Sequence, residues 1–164
     1  MLNDLLSEGI GAHFSHDRLY RYALWRKWER NPNYVLFIGL NPSTANERED
    51  DPTIRRCKRF AKDWGFGGVY MANLFALRAT NPKVMLAHDN PVGIDNDVWL
   101  QDLACNAGII VCSWGAHGGH QDRDKYVINL LAAHDLMCLG VTKSGKPRHP
   151  LYIKADMALE VFNR

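Results

Sequence analysis

Four short apolar runs in this chain each end in a small polar cluster, and those clusters hold the side chains able to do chemistry. Residues 34–38 break at Gly39 into Asn41-Pro42-Ser43-Thr44, and residues 68–73 deliver Asn73. Residues 108–113 lead to Trp114-Gly115 and then to His117 and His120. Residues 135–140 precede the segment 142–152, with His149 and the basic run 143–148. Two amides and a histidine suit orienting a water, reading a polar heterocycle and stabilising a leaving anion by hydrogen bonds. Other chemistries lack their residues. The tips carry no carboxylate pair for a two-carboxylate glycosidase, no G-x-S-x-G elbow and no loop cysteine beside a histidine. Neither G-x-G-x-x-G nor G-x-x-x-x-G-K-[ST] occurs. The four cysteines form no C-x-x-C pair, and Cys112 and Cys138 lie in apolar runs as small hydrophobes. Neither a disulfide, a metal site nor a cofactor is expected.

Bringing such tips together requires a parallel sheet. Uninterrupted apolar runs read as strands buried on both faces, and loops at their carboxyl ends are where open α/β sheets place ligands. Helices are expected between the strands. Asp51-Pro52 supplies an N-cap and a first helical proline for a helix reaching about Trp64, with Ile54, Cys57, Ala61 and Trp64 on one face. Arg55, Arg56, Lys58, Arg59 and Lys62 fill the rest, either as a solvated face or as a phosphate-binding one. A short helix or loop covers 82–90. A longer helix opens at Pro91 and reaches about Asn106 with Val98, Leu100, Leu103 and Ala104 inside, and another spans about 122–134. Residues 1–17 suggest a short helix and a loop. Residues 18–28 alternate aromatic and basic side chains, as an edge strand or hairpin does, before a turn near residues 29–33. There, core packing with snorkelling cations is favoured over a stacking surface. The tail from Ile153 is expected to close the fold as a short strand or helix. The reading is α/β: a three-layer α/β/α sandwich on a four-stranded, mainly parallel sheet. One domain spans 1–164, with 1–33 as an N-terminal extension packing on the core.

The totals agree with that class. The chain has 164 residues, 46% hydrophobic and 23% charged, enough for one core. No run approaches the ~18 apolar residues of a membrane span, and the start MLNDLLSEGI lacks a basic signal-peptide opening. A cytoplasmic monomer without a membrane partner is expected. A net charge of +2 leaves any nucleic-acid affinity to local basic patches.

The order GLNPS, NLFALRAT, SWGAHG, HPLY resembles the uracil-DNA glycosylase superfamily, loop by loop, over about residues 34–152. More narrowly, IGLNPSTA, DDPTIRRC, NLFALRAT, PVG and GKPRHPLY are similar to a bacterial and phage family long carried as a domain of unknown function. Members similar to it have been described as phage-defence glycosylases that remove glucosylated hydroxymethylcytosine. The resemblance implies a uracil-DNA glycosylase-like fold and a monofunctional DNA glycosylase with DNA as partner. It would flip a C5-modified pyrimidine out of phage DNA and hydrolyse its N-glycosidic bond, leaving an abasic site.

It also implies roles. Asn41 orients the attacking water and His149 hydrogen-bonds the departing base. Asn73 reads the base edge, with Ser43, Leu40 and Phe75 completing the base pocket. Uracil-specific members place a tyrosine where Ser43 stands, and the smaller side chain leaves space beside C5. Thr44, Arg55, Arg59, Arg78, Lys146 and Arg148 would contact DNA, and Leu151 or Tyr152 would supply a wedge, although the Ser-Pro that usually follows His-Pro is missing. Asp50 and Asp51 read as helix caps, with Asp50 as an alternative base; His117 and His120 structure their loop or take part in catalysis. With no reactive lysine aimed at the site, no lyase step is expected. Two other readings stay open: a hydrolase of small modified nucleotides or nucleosides, and an inactive module that binds modified bases.

Overall fold

The computed structural model describes residues 9–30 and 33–162. Its strands are β1 (Ile10–Phe14), β2 (Arg21–Lys27), β3 (Tyr34–Gly39), β4 (Gly68–Asn73), β5 (Ile109–Cys112), β6 (Leu136–Cys138) and β7 (Glu160–Val161). Four helices accompany them among the described residues: α1 (Pro52–Asp63), α2 (Pro82–Ala87), α3 (Asn96–Asn106) and α4 (Arg123–Leu130). The sheet order is β1-β2-β4-β3-β5-β6-β7. The fold is therefore α/β on a mixed seven-stranded sheet, which corrects the expected four-stranded, mainly parallel one. The four apolar runs are its parallel middle, β4-β3-β5-β6, and antiparallel strands extend it at both sides.

Why the edges escaped the sequence is physical. Strand β2 is the strand expected within 18–28, but it is no edge: it pairs with β1, which replaces the helix and loop expected over 1–17 where those residues are described, and with β4, Leu24 opposite Met71 and Arg26 opposite Val69. Strand β7 has only two residues, both exposed, and exists because Cys138 and Met137 offer it a free edge. The helix expected from Pro91 begins at Asn96, since Gly93 turns the chain at φ 86° first. Val98 then faces solvent and Trp99 is buried. The helix expected within 1–17 and the turn near 29–33 fall partly outside the described residues.

Alternation along the central strands builds two cores. Tyr34, Leu36 and Ile38 face one side with Trp99, Leu103 and Val127, whereas Val35 and Phe37 face the other with Ile54, Cys57 and Phe60. Helix α1 thus covers one face and α2, α3 and α4 the other, so the central strands need apolar residues at every position. Helix α1 starts where the sequence said it would: Asp51 accepts from the Ile54 N–H at 2.9 Å and Pro52 opens the first turn. No helix among the described residues is long and apolar enough to cross a membrane.

Helices on opposite faces create a crevice. The loop after β3 leaves towards α1, and the loop after its neighbour β5 leaves towards α4 on the other face. Where adjacent loops diverge, the carboxyl edge of the sheet opens. One wall is braced by Arg26, buried on β2 under the 45–51 loop. It pairs with Asp50 at 2.7 Å and donates to the carbonyls of Gly11, Trp25, Asn46 and Glu49. Without Arg26, Asp50 keeps only Lys58, at 2.8 Å, and four carbonyls lose a buried donor, each typically costing about 1–3 kcal/mol. Arg26→Ala is expected to lower the unfolding free energy by about 3 kcal/mol or more, read from urea denaturation; a change under about 1 kcal/mol would show that the loop does not depend on it.

Candidate active site

The crevice is a cleft of about 530 Å³. Of the residues singled out in the sequence, Leu40, Asn41, Ser43, Asn73, His149, Leu151 and Tyr152 line it, and so do Trp114, Gly115 and His117. The four strand tips do meet. Backbone bonds lock them together: Leu74 N–H and Phe75 N–H donate to the carbonyls of Gly39 and Leu40, Ser113 N–H to that of Ile38, and Gly115 N–H to that of Pro147. Ser113 Oγ adds a second bond to Ile38 at 3.1 Å. Gly115 makes its turn at φ 73°, a conformation that side chains disfavour.

Asn41 is held by its nitrogen. Nδ2 donates to the carbonyls of Ala79 at 2.9 Å and Pro42 at 3.1 Å, with a longer contact to Leu77 at 3.5 Å. Carbonyls cannot donate, so the amide orientation is fixed and Oδ1 is left as the acceptor. An amide locked this way can orient a water but cannot take its proton.

Asn73 ends β4 and is 4% exposed, yet its Nδ2 is buried without a partner. Its backbone is pinned from below: Asn96, wholly buried, donates Nδ2 to the carbonyls of Asn73 and Leu74 at 3.0 Å, and Arg123 Nε donates to Leu74 at 2.8 Å. A Cβ on Gly39 would come within 3.0 Å of Asn73 Oδ1, so the glycine in G-L-N-P gives this amide its room. An unpaired buried donor is costly, and in a cleft wall it awaits an acceptor.

His149 has its tautomer set. Nδ1 accepts from the Leu151 N–H at 3.2 Å, which puts the proton of the neutral ring on Nε2 as the remaining donor. Burial lowers its pKa, against the pull of the Asp51 carboxylate. The three-residue 3₁₀ turn Pro150–Tyr152 follows, with Leu151 43% and Tyr152 81% exposed at the cleft rim.

Other expected site residues lie elsewhere. Phe75 is fully buried and packs near His120, with ring centres 5.7 Å apart, outside the cleft lining; strand alternation past the tip sends it into the core. Thr44 is exposed and does not line the cleft. Nor do Arg55, Arg59, Arg78, Lys146 and Arg148. Arg55 donates to the Asp50 carbonyl, Arg59 pairs with Asp63 and Arg78 donates to the Arg18 carbonyl. Lys146 pairs with buried Asp124, and Arg148 donates to the Val141 carbonyl. Asp50 does not reach the cleft either. Burial raises its pKa, but hydrogen bonds from Lys58 and Arg26 outweigh that and hold it below the ordinary carboxylate value.

Two lining residues were missed as site residues. Arg21 on β2 is 3% exposed; its Nη1 donates to the Ala45 carbonyl at 2.9 Å and its Nε has no partner. Burial lowers its pKa to about 10, partly offset by Asp51, so it stays cationic at neutral pH. Asp51 itself lines the cleft as well as capping α1. The Trp114 Nε1–H is also buried and unpaired. Arg21, Asn73 and Trp114 thus each line the cleft and keep a buried donor without a partner, and His149 has Nε2–H as its remaining donor.

Two measurements follow from this geometry. In Asn41→Asp a carboxylate would face three carbonyl oxygens. The expected loss is about 1–3 kcal/mol of stability at neutral pH, recovered on acidification as the carboxyl gains a proton it can donate. Melting curves at both pH values read it. For His149, the folded state holds its proton less tightly than the unfolded chain. Its stabilising share is whole above the ordinary value of 6.5 and is lost as pH falls through the lowered folded value. The urea midpoint should therefore drop between pH 7 and 5, and drop less in His149→Gln. His13, also lowered mainly by burial, contributes equally to both proteins.

Residues 21–151 match the family described as protein of unknown function (DUF1643). No curated protein and no solved structure matches the chain. The matched stretch runs from Arg21 to Leu151, so it takes in the whole cleft lining apart from Tyr152. The chain belongs to the DUF1643 family.

Proposed function

We propose that this protein is a monofunctional DNA glycosylase. It binds DNA, takes a C5-modified pyrimidine into the cleft and hydrolyses its N-glycosidic bond, leaving an abasic site as a step in anti-phage defence. The modified base favoured by the sequence resemblance is glucosylated hydroxymethylcytosine. The observation that carries the reading is the meeting of Asn41, Asn73 and His149 in one cleft at the carboxyl edge of the sheet. A pyrimidine leaving from its sugar gathers negative charge on N1 and on its exocyclic O2 oxygen, and a preorganised donor aimed at such charge is typically worth ~3 kcal/mol. His149 Nε2–H is that donor, in a ring that burial keeps neutral. Asn73 Nδ2 reads an acceptor on the base edge, and Asn41 Oδ1 orients the water. Ser43 lines the cleft with a small side chain that leaves room beside C5.

A second reading, hydrolysis of free modified nucleosides or nucleotides, is favoured by one observation. The cations of α1 have partners within the protein: Arg55 the Asp50 carbonyl, Arg56 that of Ile153, Lys58 Asp50, Arg59 Asp63 and Lys62 the Trp28 ring. Charge reversal separates the two. Arg55→Glu with Arg59→Glu should cut activity on DNA at least tenfold and make its salt dependence shallower if α1 faces phosphates; unchanged activity would support the small-substrate reading.

The direct test incubates the protein with unmodified, hydroxymethylated and glucosylated phage DNA and scores abasic sites by alkaline cleavage. Cleavage of the modified DNA is expected, reduced about 10²-fold or more in Asn41→Ala and in His149→Ala. No cleavage of any of the three would sink the glycosylase reading. Retained binding without cleavage would leave a modified-base binding module in its place.

A further inference from the structure

Hydrolysis leaves one requirement unmet by the residues above. Water attacking a sugar carbon must lose a proton, and an amide such as Asn41 cannot hold one. Asp51 is the sole carboxylate among the described residues that line the cleft. One oxygen, Oδ1, is fixed by the Ile54 N–H at 2.9 Å, and Oδ2 has no hydrogen bond or ion pair among the described residues. Capping alone uses one oxygen; serine or threonine would serve it as well.

The surroundings point the same way. Arg21, 3% exposed with Nε unpartnered, lines the same cleft, and its charge interacts with that of Asp51. The charge of Asp51 also acts on His149, which lines the same cleft. Asn73, 4% exposed with Nδ2 unpartnered, lines the same cleft. His149 is used as donor to the departing base, and His117, the other histidine in the wall, is exposed and makes no hydrogen bond among the described residues that would fix its ring.

We infer that Asp51 is the general base of the proposed hydrolysis, the helix cap fixing one carboxylate oxygen so that the other can take a proton from the water oriented by Asn41. The inference rests on the glycosylase reading. As the water oxygen bonds to C1′, the C1′–N bond breaks and its electron pair stays with the pyrimidine, whose oxygen accepts a hydrogen bond from His149. The water proton passes to Asp51 Oδ2. The released base takes up a proton from Asp51 or from solvent, and the carboxylate is restored.

Asp51→Asn keeps a capping oxygen and removes the base; Asp51→Ser does the same with a shorter side chain. Single-turnover release from glucosylated DNA is expected to fall 10²–10⁴-fold in both, while DNA affinity and melting temperature stay near the parent values. Release by Asp51→Asn within threefold of the parent overturns the inference and leaves the glycosylase reading standing. Release kept in Asp51→Asn but lost in His117→Gln assigns the proton to His117 and overturns it too. If the parent releases no base from any modified DNA, the glycosylase reading falls and takes the inference with it.

Discussion

Strand β3 is flanked by parallel partners on both edges and by apolar side chains on both faces, so its chain has to emerge at the carboxyl end of the sheet. That confinement determines where polar residues can gather. The chain leaves β3 towards α1, and its neighbour β5 leaves towards α4 on the other face, so no backbone closes the gap between them. The loops around that gap need bracing, because loops carry unpaired backbone groups that packing alone does not hold. Cross-tip hydrogen bonds between β3, β4 and β5 supply part of it. Buried polar side chains supply the rest: Arg26 under the 45–51 loop, Asn96 and Arg123 under the tip of β4. These residues touch no cleft surface and still decide where Asn41, Asp51 and Asn73 stand.

What the sequence made legible follows the same division. Uninterrupted apolar runs mark strands buried on both faces, and such strands expose only their ends, so Asn41, Asn73 and His149 were readable as cleft residues. The Asp51-Pro52 helix start was readable because capping is local. Edge strands were not. A two-residue strand such as β7 has no pattern of its own, and the pairing of β2 with β4 brings together residues more than forty positions apart. Arg21 was hidden for that reason: among alternating aromatics it looks like a snorkelling cation, and its cleft position depends on the bridge between Tyr20 and Leu77 that carries β2 to the far tip. Phe75 was misplaced for the opposite reason. A polar-tipped segment shows where a loop begins, but not which way each side chain past it turns, and Phe75 turns inwards.

Basic residues mislead in a related way. Counting cations in α1 suggests a phosphate-binding face, yet a guanidinium is also the best donor for a stray carbonyl or carboxylate nearby. Arg55, Arg56 and Lys58 each find such a partner in the 50–51 turn or the 150–153 turn, so part of the charge ties loops of the cleft to the helix below them. The same arrangement gives α1 its second purpose. Its first turn contributes Asp51, Thr53 and Ile54 to the cleft wall, and its cations hold the neighbouring turns against that wall.

The division of labour between Asn41 and Asp51 then has a physical reason. Position 41 faces three backbone carbonyls, and only a donor is comfortable there, so a carboxylate at that place would be repelled in its charged form. A carboxylate placed instead at the start of a helix meets backbone N–H groups and the favourable end of the helix dipole, which stabilise a negative charge. The proposed reaction thus separates two tasks that one carboxylate could combine: orientation of water by an amide whose direction is locked, and acceptance of its proton by a carboxylate seated on a helix cap. Under the proposed reaction, the amide at 41 is chosen by its neighbours, and the base must come from elsewhere in the wall.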